Sequence, residues 1–167
     1  MTEHILTIRN SEIIRKVEER TFKFGKARDG MATGTVRARM SYTDKIINNV
    51  KLTDMPYDRS MVRDWISNAI GNIKSAFPKY SRRIETEYET GHSNDGDYLV
   101  SKLHFCLSSS WPECNGDPFD SDCQEYIVNS VIAEFIGLSL PREADYFAQK
   151  AMVALKNAER KLYFKIG

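Results

Sequence analysis

Between Phe119 and Phe164 apolar residues recur three and four positions apart, first as Ile127, Val128, Val131, Ile132, Phe135 and Ile136, then as Ala144, Phe147, Ala148, Ala151, Leu155, Ala158 and Leu162. That spacing places each set on one stripe of a helix. It predicts a helix over 120–137 and another over 141–163. The short Gly137–Pro141 connection makes them antiparallel neighbours, with Pro141 suited to the first turn and Glu143 to the positive end of the second helix. A third stripe, from Val62 through Trp65, Ile66, Ala69, Ile70 and Ile73 to Phe77, predicts a helix over 58–77 that Asp58 caps and Pro78 stops. Trp65, Phe135 and Leu155 are expected where the three apolar faces close on one another.

Near the start, Ile13, Ile14 and Val17 form a brief stripe, which predicts a short helix capped by Asn10 or Ser11 and fraying near Thr21. His4 to Ile8 suits a short edge strand. After Pro78 the period falls to two. Ile84, Thr86 and Tyr88 alternate with Glu85, Glu87 and Glu89, and beyond the polar loop 91–97 a second alternation aligns Leu99, Leu103, Phe105 and Leu107. This predicts a long β-hairpin over 80–107 whose apolar face leans on the helices or on another copy. The acidic row suits a solvated or intersubunit face. Gly25, Gly30 and Gly34 lie among Lys23, Lys26, Arg28, Arg37 and Arg39, so 23–57 is expected to be an extended basic loop or arm. Within it Ile46, Ile47 and Val50 allow one or two helical turns before Pro56 ends them.

The chain has 167 residues, enough for one domain with excursions. Its 24 basic and 23 acidic residues give a net charge of +1, so any charged partner must be met by a local patch. Cys106, Cys114 and Cys123 are odd in number and too widely spaced for a paired metal motif, which predicts free thiols in a reducing compartment. The opening MTEHILTIRN has neither the basic flank nor the apolar run of a secretory signal, and no stretch approaches the ~20 apolar residues of a membrane span.

Chemistry has little purchase on this pattern. His4, His92 and His104 fall on a terminus, a loop and a strand, with nothing to draw them into a ligand set with Cys106. Asp117, Asp120 and Asp122 lack the glycine and terminal glutamate of a calcium loop; Asp120 or Ser121 is better explained as a helix cap. Neither catalytic residue, cofactor nor metal is expected. The closing Arg160, Lys161, Tyr163 and Phe164 combine cations with aromatic rings, a pattern that suits nucleic acid and equally suits the negative end of a helix.

Several segments in order resemble a family of small virion proteins from tailed phages of gut bacteria. They are the Val17–Gly25 run with Thr21, the helix start D-R-S-M-V-R-D-W-I-S-N-A at Asp58–Ala69, an S-S-S-W run followed by F-D-S-D-C-Q-E-Y-I-V, and the ending R-K-L-Y-F-K at Arg160–Lys165. The correspondence spans most of the chain and rests on the order of helix faces. Phe22, Lys23 and Phe24 depart from a tyrosine-centred run, and Met31–Asp54 is longer than the family pattern.

The resemblance implies a non-enzymatic head–tail connector, an adaptor ring beneath the portal, located in the virion and assembled in the host cytoplasm. Its partners would be further copies, the portal, neighbouring neck or tail proteins and genomic DNA in the channel, with no membrane. A tail terminator or tail-completion ring shares these features, and a DNA-binding packaging or regulatory module is the alternative from another class. The candidate interface is Lys23, Lys26, Arg28, Arg37, Arg39, Glu85, Glu87, Glu89, Arg160, Lys161, Tyr163 and Phe164. The expected fold class is α+β, a mainly helical core with one long hairpin.

Overall fold

The computed structural model describes residues 1–31, 56–137 and 140–163, and for 22–31 and 56–59 the backbone alone. Its elements run β1 (Thr2–Arg9), α1 (Asn10–Met31), α2 (Pro56–Ala76), β2 (Ser81–Tyr88), β3 (Leu99–Leu107), α3 (Gly116–Gly137) and α4 (Pro141–Leu162), with single 3-10 turns at Gly96–Tyr98 and Glu113–Asn115. The fold is α+β, with four helices among the described residues packed on one face of a three-stranded antiparallel sheet of order β1-β3-β2.

The hairpin forms as its alternation predicts, but it is not an excursion. β3 is the central strand, because β1 pairs along its other edge from Thr2 opposite Leu107 to Arg9 opposite Val100. β2 pairs from Ser81 opposite Phe105 to Tyr88 opposite Leu99, with a bulge between Ser81 and Ile84. Leu103, Phe105 and Leu107 of β3 and Leu6 and Ile8 of β1 therefore share one face, which the helices cover. Phe77, Phe105 and Phe119 meet there, one each from the end of α2, from β3 and from α3, with ring centroids 5.2–6.5 Å apart.

That trio is the centre of the core. Trp65, Phe135 and Leu155 are only partly buried and pack against its margin. The difference arises because periodicity tells which stripe of a helix is apolar, and only the neighbouring elements tell which turn of that stripe lies deepest. α3 is buried nearly all round, from Phe119 and Cys123 to Ile132 and Ile136, since it touches α4 on one side and α2, α1 and β1 on others. α4 buries a single stripe in which Ala154 takes part and Ala148 stays exposed. The two helices are antiparallel: Lys161 near the end of α4 meets Asp122 near the start of α3, and Gly137 faces Ala144.

Three local expectations are corrected. α1 continues past Thr21 to Met31, so Lys23, Lys26 and Arg28 lie on a helix and not in a loop. Glycine in a helix costs about 1 kcal/mol relative to alanine but retains its amide donor, and Lys, Arg, Ala and Met around Gly25 and Gly30 are good helix formers. Pro56 opens α2 instead of only ending what precedes it, a position where its missing N–H has no helical partner to lose. The proposed caps are engaged elsewhere: Asn10 Nδ2 donates to the Gly96 carbonyl (3.0 Å), and Asp120, already inside α3, accepts from His4. The suggested turns at Ile46–Val50 and the remainder of the arm, including Arg37 and Arg39, lie outside the described residues, as does Phe164. Among the described residues no helix is long and apolar enough to cross a membrane.

Truncating the ring at the centre tests this core. Phe119→Ala is expected to cost about 3–5 kcal/mol in urea unfolding, whereas Phe135→Ala at the margin should cost clearly less.

Candidate functional site

Among the described residues one face of the sheet carries no helix, and the acidic row lies on it. Alternation from the buried Leu103 and Phe105 sends Lys102, His104 and Cys106 outward, with Glu3 and Arg9 of β1 on one side and Glu85 and Glu87 of β2 on the other. Each glutamate of the row finds a partner within the same chain. Glu85 accepts from Arg83 (2.9 Å) and faces His104 Nε2 (3.1 Å), Glu87 meets Lys102 (2.8 Å), and Glu89 accepts from the Ser11 hydroxyl (3.1 Å) with Arg9 at 3.8 Å. The Arg83 hydrogen bond, then that of His104, holds the Glu85 carboxyl below its ordinary range. The row is thus a charge-compensated surface and not a bare anionic stripe.

His104 is only 5% exposed although it lies on the uncovered face, because Glu3 and Glu85 close over it. Its Nδ1 lies 2.7 Å from Glu3 Oε1 while Nε2 faces Glu85, so the imidazole ties β1 to β2 across β3. Both ring nitrogens are spent on the carboxylates, and the arrangement is a strap between strands instead of an open ligand set. On the opposite face His4 Nε2 lies 2.6 Å from Asp120 Oδ1, with Trp111 and Phe119 against its ring. Among the described residues no group of three His, Cys, Asp or Glu side chains could hold a metal ion.

The C-terminal candidates divide. Lys161 is built into the subunit: its ammonium meets Asp122 and its carbonyl accepts from the Trp111 indole (2.9 Å) and from Asn115 (3.4 Å). Tyr163 packs edge-on against Tyr80 at 5.2 Å and stays 42% exposed, while Arg160 is exposed. Trp111, in the connection between β3 and α3, is buried and pins that connection to the end of α4.

Two concave features emerge that no local signal marked. A groove of about 390 Å³ runs between α3 and α4, bordered by Glu125, Asn129, Tyr146, Lys150 and Val153. Tyr146 and Val153 are more than half exposed there. Glu125 is held by Arg20 of α1 through paired bonds of 2.5 and 3.0 Å, which keep its carboxyl below the ordinary range. A second, more enclosed cavity of about 260 Å³ lies between α2 and the helix-facing side of the sheet, among Arg63, Ser67, Ile70, Ile84, Leu99 and Asn10. Beside it on β2, Ile84 and Tyr88 stay 37% and 45% exposed. No family model, curated protein or solved structure matches this chain.

Two measurements follow from this geometry. A carboxylate whose folded-state pKa is depressed stabilises the fold above its unfolded pKa and loses that contribution as pH falls through the folded value. Arg20→Ala should therefore cost about 1 kcal/mol at pH 7, discounted for the partial exposure of both partners, and next to nothing near pH 2 in urea unfolding. An equal cost at both pH values would assign the effect to packing. Thiol labelling should separate the cysteines: exposed Cys114 reacts first, half-buried Cys106 next, and Cys123 only on unfolding, since burial, and then Asp120 and Asp122, push its thiol up.

Proposed function

We propose that this chain is a structural, non-enzymatic component of a tailed-phage neck, a subunit of the connector ring seated beneath the portal. The order of segments that resembles small virion proteins raises this reading, and the observation that carries it is the unlikeness of the two flanks. One flank offers the β2 edge, which no further strand pairs with among the described residues, and the cavity beside it, with Ile84 and Tyr88 exposed. The other offers the outward face of α4, where Tyr146, Met152 and Val153 are 56%, 52% and 58% exposed. α3 touches both α2 and α4, and the two flanks belong to different elements. Copies of a cyclic ring meet through two different surfaces, one on each side of the subunit, and unlike flanks are what that symmetry uses.

In this reading the charges of the uncovered sheet face mainly keep the subunit's own strands in register, since they are compensated internally. The basic run from Lys23 to Arg39 faces a neighbour or DNA in the channel, and Arg160, Tyr163 and Phe164 dock on the portal or the next ring. The virion is the site of action, after assembly in the host cytoplasm.

Purified protein mixed with its portal should form a discrete ring-shaped complex, with a fixed subunit number in native mass spectrometry. Protein that stays strictly monomeric with and without the portal would overturn the proposal.

A further inference from the structure

The cations of this chain are of two kinds. Many are answered inside the subunit: Arg9, Arg20, Arg83, Lys102 and Lys161 each face a carboxylate. Lys74, Lys79, Arg82, Lys156 and Arg160 meet no carboxylate among the described residues, and Arg82 donates only to the neighbouring Ser81 carbonyl (3.3 Å). Arg142 and Lys150 are also without one, each alone on another part of α4. An exposed cation loses nothing by staying in water, so the five are not strained. They are charge left over in a subunit that neutralises much of the rest at short range.

The fold brings the five together from distant parts of the sequence. Lys74 lies in the last turn of α2, and its carbonyl accepts from the Ser81 hydroxyl (2.7 Å), which folds the chain back so that Lys79 and Arg82 flank the entry to β2. Tyr80, in that turn, meets Tyr163 at the end of α4 edge to face, with ring centroids 5.2 Å apart. Lys156, Arg160 and Tyr163 are spaced by four and three residues, so both cations share the Tyr163 side of α4. Lys79, Arg82, Lys156 and Arg160 are exposed. The result is a tyrosine pair rimmed by unpaired cations.

Two kinds of polyanion carry the complementary charge, and the surroundings favour a protein over DNA. The two tyrosine rings are packed on each other, so they are not the free stacking platforms that bases use. Glu159 stands exposed in the same turn of α4 as Arg160, and exposed Glu113 stands beside Asn115, which donates to the Lys161 carbonyl; both would repel an unbroken run of phosphates. The net charge of +1 adds no long-range pull. Discrete carboxylates on a protein can be set between such charges, and tyrosines with arginine around them are the composition of a protein interface.

We propose that this patch docks on an acidic protein surface, that of the portal, whose carboxylates meet Lys79, Arg82, Lys156 and Arg160 around the Tyr80–Tyr163 pair. The inference rests on the neck reading; it extends the docking end of α4 to the α2–β2 turn and names the chemistry of the surface that receives it.

Three variants with the same change of charge test it. Lys79→Glu and Arg160→Glu reverse one cation from each segment, and Arg142→Glu reverses one at the far end of α4; circular dichroism and thermal unfolding confirm that each folds. In surface plasmon resonance against purified portal, Lys79→Glu and Arg160→Glu should each bind about three- to tenfold more weakly, and Arg142→Glu as wild type. Lys79→Gln and Arg160→Gln should lose less than the reversals. Wild-type binding should weaken as NaCl rises from about 50 to about 500 mM. Portal binding untouched by Lys79→Glu and Arg160→Glu overturns the patch and leaves the ring reading standing. An equal loss from Arg142→Glu overturns it too, since bulk charge would then be acting. A gel shift of duplex DNA that both reversals abolish, with portal binding unchanged, overturns it in favour of nucleic acid. Wild-type protein that neither binds portal nor self-associates overturns both readings.

Discussion

The requirement that α3 be covered on every side determines where the other elements can go. Its buried residues, from Phe119 and Cys123 through Ile127 and Val131 to Ile136, leave no broad polar face to turn to water. A helix of that kind is stable only as a central element, and removing each of its large side chains from water contributes about 1.5–3 kcal/mol before entropy is subtracted. α4 covers one side with its alanine-rich stripe, whose small side chains let the helices approach closely, and α1, α2 and β1 cover the rest. The Phe77–Phe105–Phe119 cluster then joins α3 to the sheet through α2. The sheet could not stand without it, since a few strands need a packed face for stability.

The polar chemistry of the molecule follows from the same packing. Covering one face of the sheet leaves the other to water, and the strands hold that face by cross-strand pairs. Its one buried polar side chain, His104, is kept by a carboxylate on either side. Ion pairs at such exposed positions add little stability one by one. Their combined effect is on register, because a slip of one residue in β1 or β2 would turn these carboxylates toward the core. A surface spent this way on its own strands is less available to an outside partner than its composition suggests, which moves the weight of the assembly reading from the acidic row to the flanks.

Those flanks arise where coverage ends. A small cavity remains between α2 and the sheet, and on α4 Tyr146, Met152 and Val153 are more than half exposed. Isolated exposed apolar residues need no explanation, and what marks the two flanks is that they are unlike: a small lined cavity on one side and exposed Tyr146, Met152 and Val153 on the other.

Sequence alone determined the helices α2, α3 and α4, the hairpin and the fold class, because helix and strand periods are local properties that few neighbouring residues can disguise. It also located Pro141 at the start of α4 and Pro78 just after α2. Tertiary structure decided everything that depends on distant parts of the chain. β1 joins β3 across about a hundred residues, His4 meets Asp120 and Arg20 meets Glu125 at similar separations, and each pairing is chosen by how the layers stack and not by any nearby residue. The depth of Phe119 relative to Trp65, the internal neutralisation of Glu85 and Glu87, and the gap beside Asn10 are of the same kind. Periodicity fixes the direction in which a side chain points, and only the folded chain supplies what it points at.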